Sequence, residues 1–194
     1  IDADDDDLLD RYGRAEASVE AGGYLRYREV LARPADLVGR ELGVQPGPAA
    51  LAAFGGSVGA WPAFPDSADA LARLHERFRL AVITNCDDDL FAASNVRLGV
   101  TFDHVITAQQ VGAYKPSTRN FAVAFERIGV PRERILHVAQ SLFHDHVPAK
   151  GLGMTTVWID RRHDRPGSGA TPPAEARPDL AVPSMAAFAE IALG

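Results

Sequence analysis

One cysteine, Cys86, stands among 194 residues, so an internal disulfide framework and a cysteine-built zinc cage are both excluded. A single thiol suits a reducing compartment, and the expectation is a cytoplasmic protein. Positive charge is also scarce: 20 Lys and Arg face 26 Asp and Glu, and no basic run interleaved with aromatics occurs. A long-range field of that sign repels nucleic acid and anionic membranes, which leaves a small molecule as the expected partner. No apolar run approaches the roughly 18 residues that cross a bilayer, and no charged-then-apolar leader opens the chain. An initiating Met is missing too. The sequence begins at Ile1, passes Asp2 and enters the acidic block Asp4 to Asp7, reading like the middle of something. Carboxylates in a first helical turn are favoured by the helix dipole, by roughly 0.3–1 kcal/mol each, and the block is read as a helix start.

What is present is 46% hydrophobic residues, enough for one α/β domain with a small helical accessory. Leu8, Tyr12, Ala15 and Val19 recur at helical spacing until Gly22 and Gly23. A second stripe runs through Tyr24, Tyr27, Leu31, Val38 and Leu42, with Pro34 inside it expected to kink or split the helix. A third helix carries Leu51, Phe54 and Val58 before Gly59. After Trp61 short β-rich runs alternate with amphipathic helices, the grammar of a parallel sheet with crossover helices. The strands are read as Leu80 to Thr84, His104 to Thr107, Ile135 to Ala139, Thr155 to Ile159 and Leu180 to Val182. Helices are expected over Ser67 to Phe78, Ser117 to Ile128 ahead of Gly129, and from Ser184 onward. Asp160 to Pro178, with Pro166, Gly167, Gly169, Pro172 and Pro173, reads as a surface loop.

In an open parallel sheet ligands bind where strands end at their C-termini, which directs attention to three places. The first strand ends in Thr84-Asn85-Cys86, a hydroxyl, an amide and turn N–H groups suited to an anion. One of Asp87, Asp88 and Asp89 is expected to cap the next helix. Lys115-Pro116 then fixes an ammonium at the mouth of a helix, where it can neutralise a carboxylate or phosphate. The strand ending at Ala139 runs into Gln140-Ser141-Leu142-Phe143-His144-Asp145-His146. His144 and His146 sit two apart near a helix start and point away from each other, which argues against a shared metal. Cys86 near a helix start and Lys115 is a candidate activated thiol, set against a small buried residue at a strand end. Trp61 and Phe64 are expected to pack at a hinge between accessory and core, and His137 to be a satisfied core histidine.

Thr84-Asn85, then Lys115-Pro116 about thirty residues on, then the Asp145 loop with Ala149-Lys150-Gly151-Leu152-Gly153 about twenty-five residues later, resembles motifs two, three and four of the haloacid dehalogenase superfamily. The resemblance spans Phe64 to Ile159. Residues 1–60, with Tyr24-Leu25-Arg26-Tyr27-Arg28-Glu29-Val30-Leu31, resemble the helical cap of its type II branch, leaving 61–194 as the core. The implied fold is an α/β, Rossmann-like three-layer core with a parallel sheet, plus a small α-helical cap. The resemblance gives Thr84 and Asn85, with Cys86 and Ser141, to the substrate's anionic group, Lys115 to charge balance beside the nucleophile, and Asp145 to orienting Lys115 or helping to hold a metal. Superfamily phosphatases carry an acidic pair where this chain has Gln140, and magnesium prefers anionic oxygen, so no cofactor or a weakly bound magnesium is expected.

The family's nucleophilic aspartate ends a strand that precedes the cap, and this sequence holds no such strand. By resemblance that strand is central, between those ending at Thr84 and Ala139. A truncated family member is expected, its sheet closed up or completed in a homodimer through exposed strand edges. The expected function is a hydrolase for a small anionic substrate, a 2-haloacid or a phosphate ester. The alternatives are an inactive anion-binding or interaction protein, or a remodelled enzyme using Cys86, Asp87 or Asp145.

Overall fold

The computed structural model describes residues 4–165 and 169–194, so the readings made at Ile1, Asp2, Pro166 and Gly167 lie outside the described residues. Helix α1, Asp5–Glu20, begins as its acidic block implies: the Asp4 carboxylate accepts the Asp7 backbone N–H at 2.8 Å, and Asp5, Asp6 and Asp7 fill the first turn. Its buried face centres on Gly13 and Glu16. Gly13 is required there, because a Cβ would lie 2.8 Å from the Ala170 carbonyl.

Helix α2, Tyr27–Glu41, is not split at Pro34. An interior proline forfeits a backbone hydrogen bond and costs about 3 kcal/mol, yet Val30, Leu31 and Val38 are buried on either side of it and hold the helix against α1. Helix α3, Pro48–Gly55, is followed by a 3-10 turn, Ser57–Ala60, which takes Val58 out of the expected single helix. Trp61 and Phe64 do not pack into a hinge: they are 45% and 58% exposed, and the Phe64 ring carries the Arg161 guanidinium 4.3 Å from its centroid.

From Ser67 onward the chain runs α4 (Ser67–His75), β1 (Ala81–Thr84), α5 (Asp88–Leu98), β2 (His104–Thr107), α6 (Ala108–Val111), α7 (Thr118–Ile128) and β3 (Leu136–Ala139). A π turn over Leu142–His146, α8 (Val147–Gly151), β4 (Thr155–Ile159), β5 (Leu180–Val182) and α9 (Met185–Leu193) complete it. Gly129 ends α7 in the left-handed conformation. Every strand pair is parallel, but the strands fall into two sheets, β1-β2 and β3-β4-β5.

The closed-up sheet does not form, since among the described residues β1 and β3 share no backbone ladder. A chain of side chains bridges them instead: the Lys115 ammonium donates to the Ile83 carbonyl of β1 at 2.9 Å and to Asp145 Oδ1 at 2.7 Å, and that oxygen lies 3.1 Å from His137 Nε2 of β3. Helices on both faces span the same interval. Leu80 and Val138 both lean on the cluster of Leu74, Val157 and Phe188, while Ile83 packs with Phe121 and Met154 on the opposite side. The facing strands consequently stay open to solvent, Ala81 and Leu136 exposed and the rest half-buried, whereas β4 is buried at three of its five residues.

Candidate functional site

The site is built where β1 and β3 end. Asn85, just beyond β1, is held tightly: its side-chain oxygen accepts the Lys115 N–H at 2.7 Å, and its amide nitrogen donates to the Lys115 carbonyl at 3.0 Å. The same nitrogen lies 3.2 Å from Glu20 Oε1, contributed by the last turn of α1. The amide therefore positions Lys115 and ties the helical region to the core. Thr84, half-buried, ends β1 in register with Thr107 of β2.

Lys115 is brought to Asp145 as the motif order implies, both side chains only 9% exposed. Burial by itself would raise the Asp145 pKa, but the Lys115 charge and the His137 contact outweigh it and hold the carboxyl well below the usual carboxylate range. His137 is thus a largely buried histidine satisfied by Asp145, and through that contact it borders the site. With Asp145 Oδ1 committed to Lys115 and His137, and Gln140 neutral and exposed, this donor set fits a divalent cation poorly. No group of three or more His, Cys, Asp or Glu suited to a metal occurs among the described residues. His144 and His146 do diverge: His146 Nε2 meets the Ala139 carbonyl at 3.0 Å, while His144 turns to Glu20.

Ser141 caps the π turn, its Oγ accepting the His144 N–H at 3.0 Å and lying 3.2 Å from His144 Nδ1. Cys86 is buried, and burial, with Asp87 and Asp89 nearby, pushes its thiol up to about 12, the opposite of the activation considered for it. Asp87 stands at the start of α5 without capping it. Its carboxylate instead receives the Tyr27 N–H at 3.2 Å and Arg26 Nε at 3.1 Å. A cavity of about 370 Å³ opens beside Lys115 between α1 and the core, walled by Glu20, Tyr24, Tyr114, Ser117 and Phe143. A second, of about 260 Å³, lies by Gln140, Trp158 and Asp160, and Lys115 does not line it.

The apolar stripe of α1 does not reveal Glu16 and Glu20, which lie buried on the same helix. Their signal was spacing: Gly13, Glu16 and Glu20 step by three and four along one helical face. Burial and the neighbouring Glu20 push the Glu16 carboxyl up to about 8, with the Tyr27 hydroxyl at 3.4 Å opposing them.

Comparison with known proteins accords with this geometry. Residues 7–141 match the family model of haloacid dehalogenase-like hydrolases. An (S)-2-haloacid dehalogenase of Pseudomonas putida is 30% identical over 127 residues, covering 63% of this chain and 53% of that protein. A glyceraldehyde 3-phosphate phosphatase of Methanothermobacter thermautotrophicus is 32% identical over 100 residues, covering 50% and 44%. The chain thus spans about half the length of the curated relatives it matches. In fold it superposes on the L-2-haloacid dehalogenase of Xanthobacter autotrophicus with chloropropionic acid covalently bound, at a TM-score of 0.80 and 21% identity, covering 96% of this chain and 86% of that one. The motif order, the α/β core of parallel strands and the family match over most of its length make this chain a member of the haloacid dehalogenase-like hydrolase family.

Proposed function

We propose that this chain forms the substrate-holding and charge-balancing part of a 2-haloacid dehalogenase-type hydrolase, completed when a parallel strand ending in an aspartate enters between β1 and β3. The observation that carries the reading is the interval itself: two strands, each parallel to its own neighbour and unpaired with each other, bridged by Ile83, Lys115, Asp145 and His137. An aspartate arriving there would meet the Lys115 ammonium. In the completed site that carboxylate attacks the carbon bearing the halogen, the carbon–halogen bond breaks with release of halide, and water then hydrolyses the ester. The turn after β1 and the cavity beside Lys115 would receive the substrate's anionic end. The engaged Asp145 and neutral Gln140 favour metal-independent halide release over magnesium-dependent phosphate release.

The test is to express the chain preceded by an apolar strand and Asp-x-x-Gly-Thr, and to measure halide and phosphate release with magnesium or with chelator. Chelator-insensitive halide release, lost when the added Asp becomes Asn, is the expected result. Equal halide release by the unextended chain, or phosphate release that needs magnesium, would overturn the reading. Light scattering on the unextended chain separates a homodimer completing its sheets reciprocally from a monomer.

A further inference from the structure

The hydrolytic chemistry leaves the second cavity, of about 260 Å³, without a role. It opens where two neighbouring strands of one parallel sheet end: Ala139 of β3 is in register with Trp158 of β4, and Gln140 and Asp160, the first residues beyond the two strands, both line it. Ligands of open parallel sheets bind at such ends. The segment after β4 that walls the cavity is pinned at three points. Arg161 donates to both Asp66 carboxylate oxygens, at 2.8 and 2.9 Å, and lies over the Phe64 ring. Arg162 donates to Asp6 Oδ1 at 2.8 Å, and the Ala170 carbonyl packs against α1 where only Gly13 leaves room. A wall held in this way lowers the ordering cost of binding.

The lining has an apolar and a basic side. Trp158, Leu142 and Pro172 form the first, with the Trp158 indole N–H fixed on the Gln140 carbonyl at 2.8 Å. On the second, Arg162 is committed to Asp6 and His163 Nδ1 lies 3.1 Å from the Asp160 carbonyl, but the Arg165 guanidinium has no ion-pair or hydrogen-bond partner among the described residues. Asp160 shares the wall, its Oδ1 accepting the Arg162 N–H at 3.2 Å. A monoanion can meet Arg165 and stand clear of that carboxylate, whereas a dianion brings a second negative charge toward it.

We propose that this cavity binds a small organic monocarboxylate, with the carboxylate on the Arg165 guanidinium and the hydrocarbon body against Trp158, Leu142 and Pro172. A guanidinium offers parallel N–H groups that match the two carboxylate oxygens, and the apolar side gives the carbon chain a surface that a bare inorganic anion cannot use. The volume, just under the roughly 300–1,000 Å³ of drug-sized sites, suits an acid of a few carbons. The assignment needs neither Lys115 nor an added aspartate, so it does not depend on the hydrolase reading.

The test is an NMR titration of the unextended chain with sodium butyrate, in a Trp61→Phe background that leaves Trp158 as the one tryptophan. Saturable shifts of the Trp158 indole N–H and of the Arg162, His163 and Arg165 amides, following one dissociation constant, are the expected result. Arg165→Ala should raise that constant about tenfold or more, and because Arg165 is exposed the variant should keep the native spectrum elsewhere. Butyramide, which has the body without the charge, and inorganic phosphate, which has charge without the body, should each bind about tenfold more weakly than butyrate. No saturable shift at these positions, equal affinity for butyramide or phosphate, or an unchanged constant in Arg165→Ala would overturn the assignment. The same shifts should persist in the strand-completed protein; their loss there would show that the added segment fills the cavity and would overturn the assignment as well.

Discussion

Lys115 Nζ stands 2.7 Å from Asp145 Oδ1, each side chain 9% exposed, so the two charges have left water together. Removing one partner strands the other. Lys115→Met is expected to destabilise the fold by about 3–5 kcal/mol, whereas Lys115→Met combined with Asp145→Leu should cost much less. Urea unfolding of the two single variants and the double variant closes the cycle. Additive losses would show that the pair is not coupled.

The same carboxyl governs the acid limb of stability. Its folded pKa lies below the unfolded value of about 3.9, so its contribution is complete above that value and is lost as pH falls toward the depressed one. Asp145→Asn should therefore be less stable than the native chain at pH 6, with the gap narrowing as pH falls below 4. Denaturant midpoints across that range provide the check.

Glu16 works in the opposite sense. A carboxyl raised to about 8 stays protonated in the fold while the unfolded chain ionises, so stability falls as pH rises from the unfolded value toward 8 and levels off beyond it. Glu16→Gln keeps the shape and removes that penalty, of the order of a few kcal/mol. The variant should gain on the native chain at pH 8 and be nearly equal to it at pH 4, as measured by thermal unfolding at both values. A constant difference would mean that Glu16 does not titrate.

A thiol pushed up to about 12 in a buried site is a poor nucleophile at neutral pH. Cys86 should alkylate with iodoacetamide only after unfolding, and Cys86→Ser should leave halide release by the strand-completed protein unchanged. Rapid alkylation of the folded chain would restore the activated-thiol alternative.

The strands and the order of the motifs were legible because parallel strands and their flanking turns are local patterns: Lys115 and Asp145 meet each other beside the Ile83 carbonyl of β1, at the strand ends where their order along the chain implies. Partners chosen across elements were not. Asn85 reads locally as an anion ligand and one of Asp87, Asp88 and Asp89 as a helix cap, and nothing local shows that the Asn85 amide reaches Lys115 and Glu20 or that Asp87 reaches α2, sixty positions away at Tyr27. Pro34 shows the same limit, since a local helix-breaker is overruled by the burial of Val30 and Leu31, which tertiary packing alone decides. His137 is satisfied in the core as its strand position implies, but nothing in its own strand reveals that its partner is Asp145, eight positions on, carried back to it by the π turn.

Asp87 also supplies a test of how the helical region is fastened to the core. Its carboxylate is fully buried, and it is the acceptor for the first N–H of α2, a donor that the helix itself cannot satisfy. Arg26 and Arg28 approach from the same side at 3.1 and 4.0 Å. Asp87→Ala leaves that N–H without its acceptor, at a cost of about 1–3 kcal/mol, and should speed amide exchange over the first turn of α2. Asp87→Asn retains an oxygen for the N–H but not the charge facing the arginines, and should recover most of the protection. Because Tyr27 opens α2 and also places its hydroxyl on Glu16, loosening at Asp87 should spread to the last turn of α1, where Glu20 meets Asn85 and His144. Exchange confined to α2 would show that the two contacts act independently.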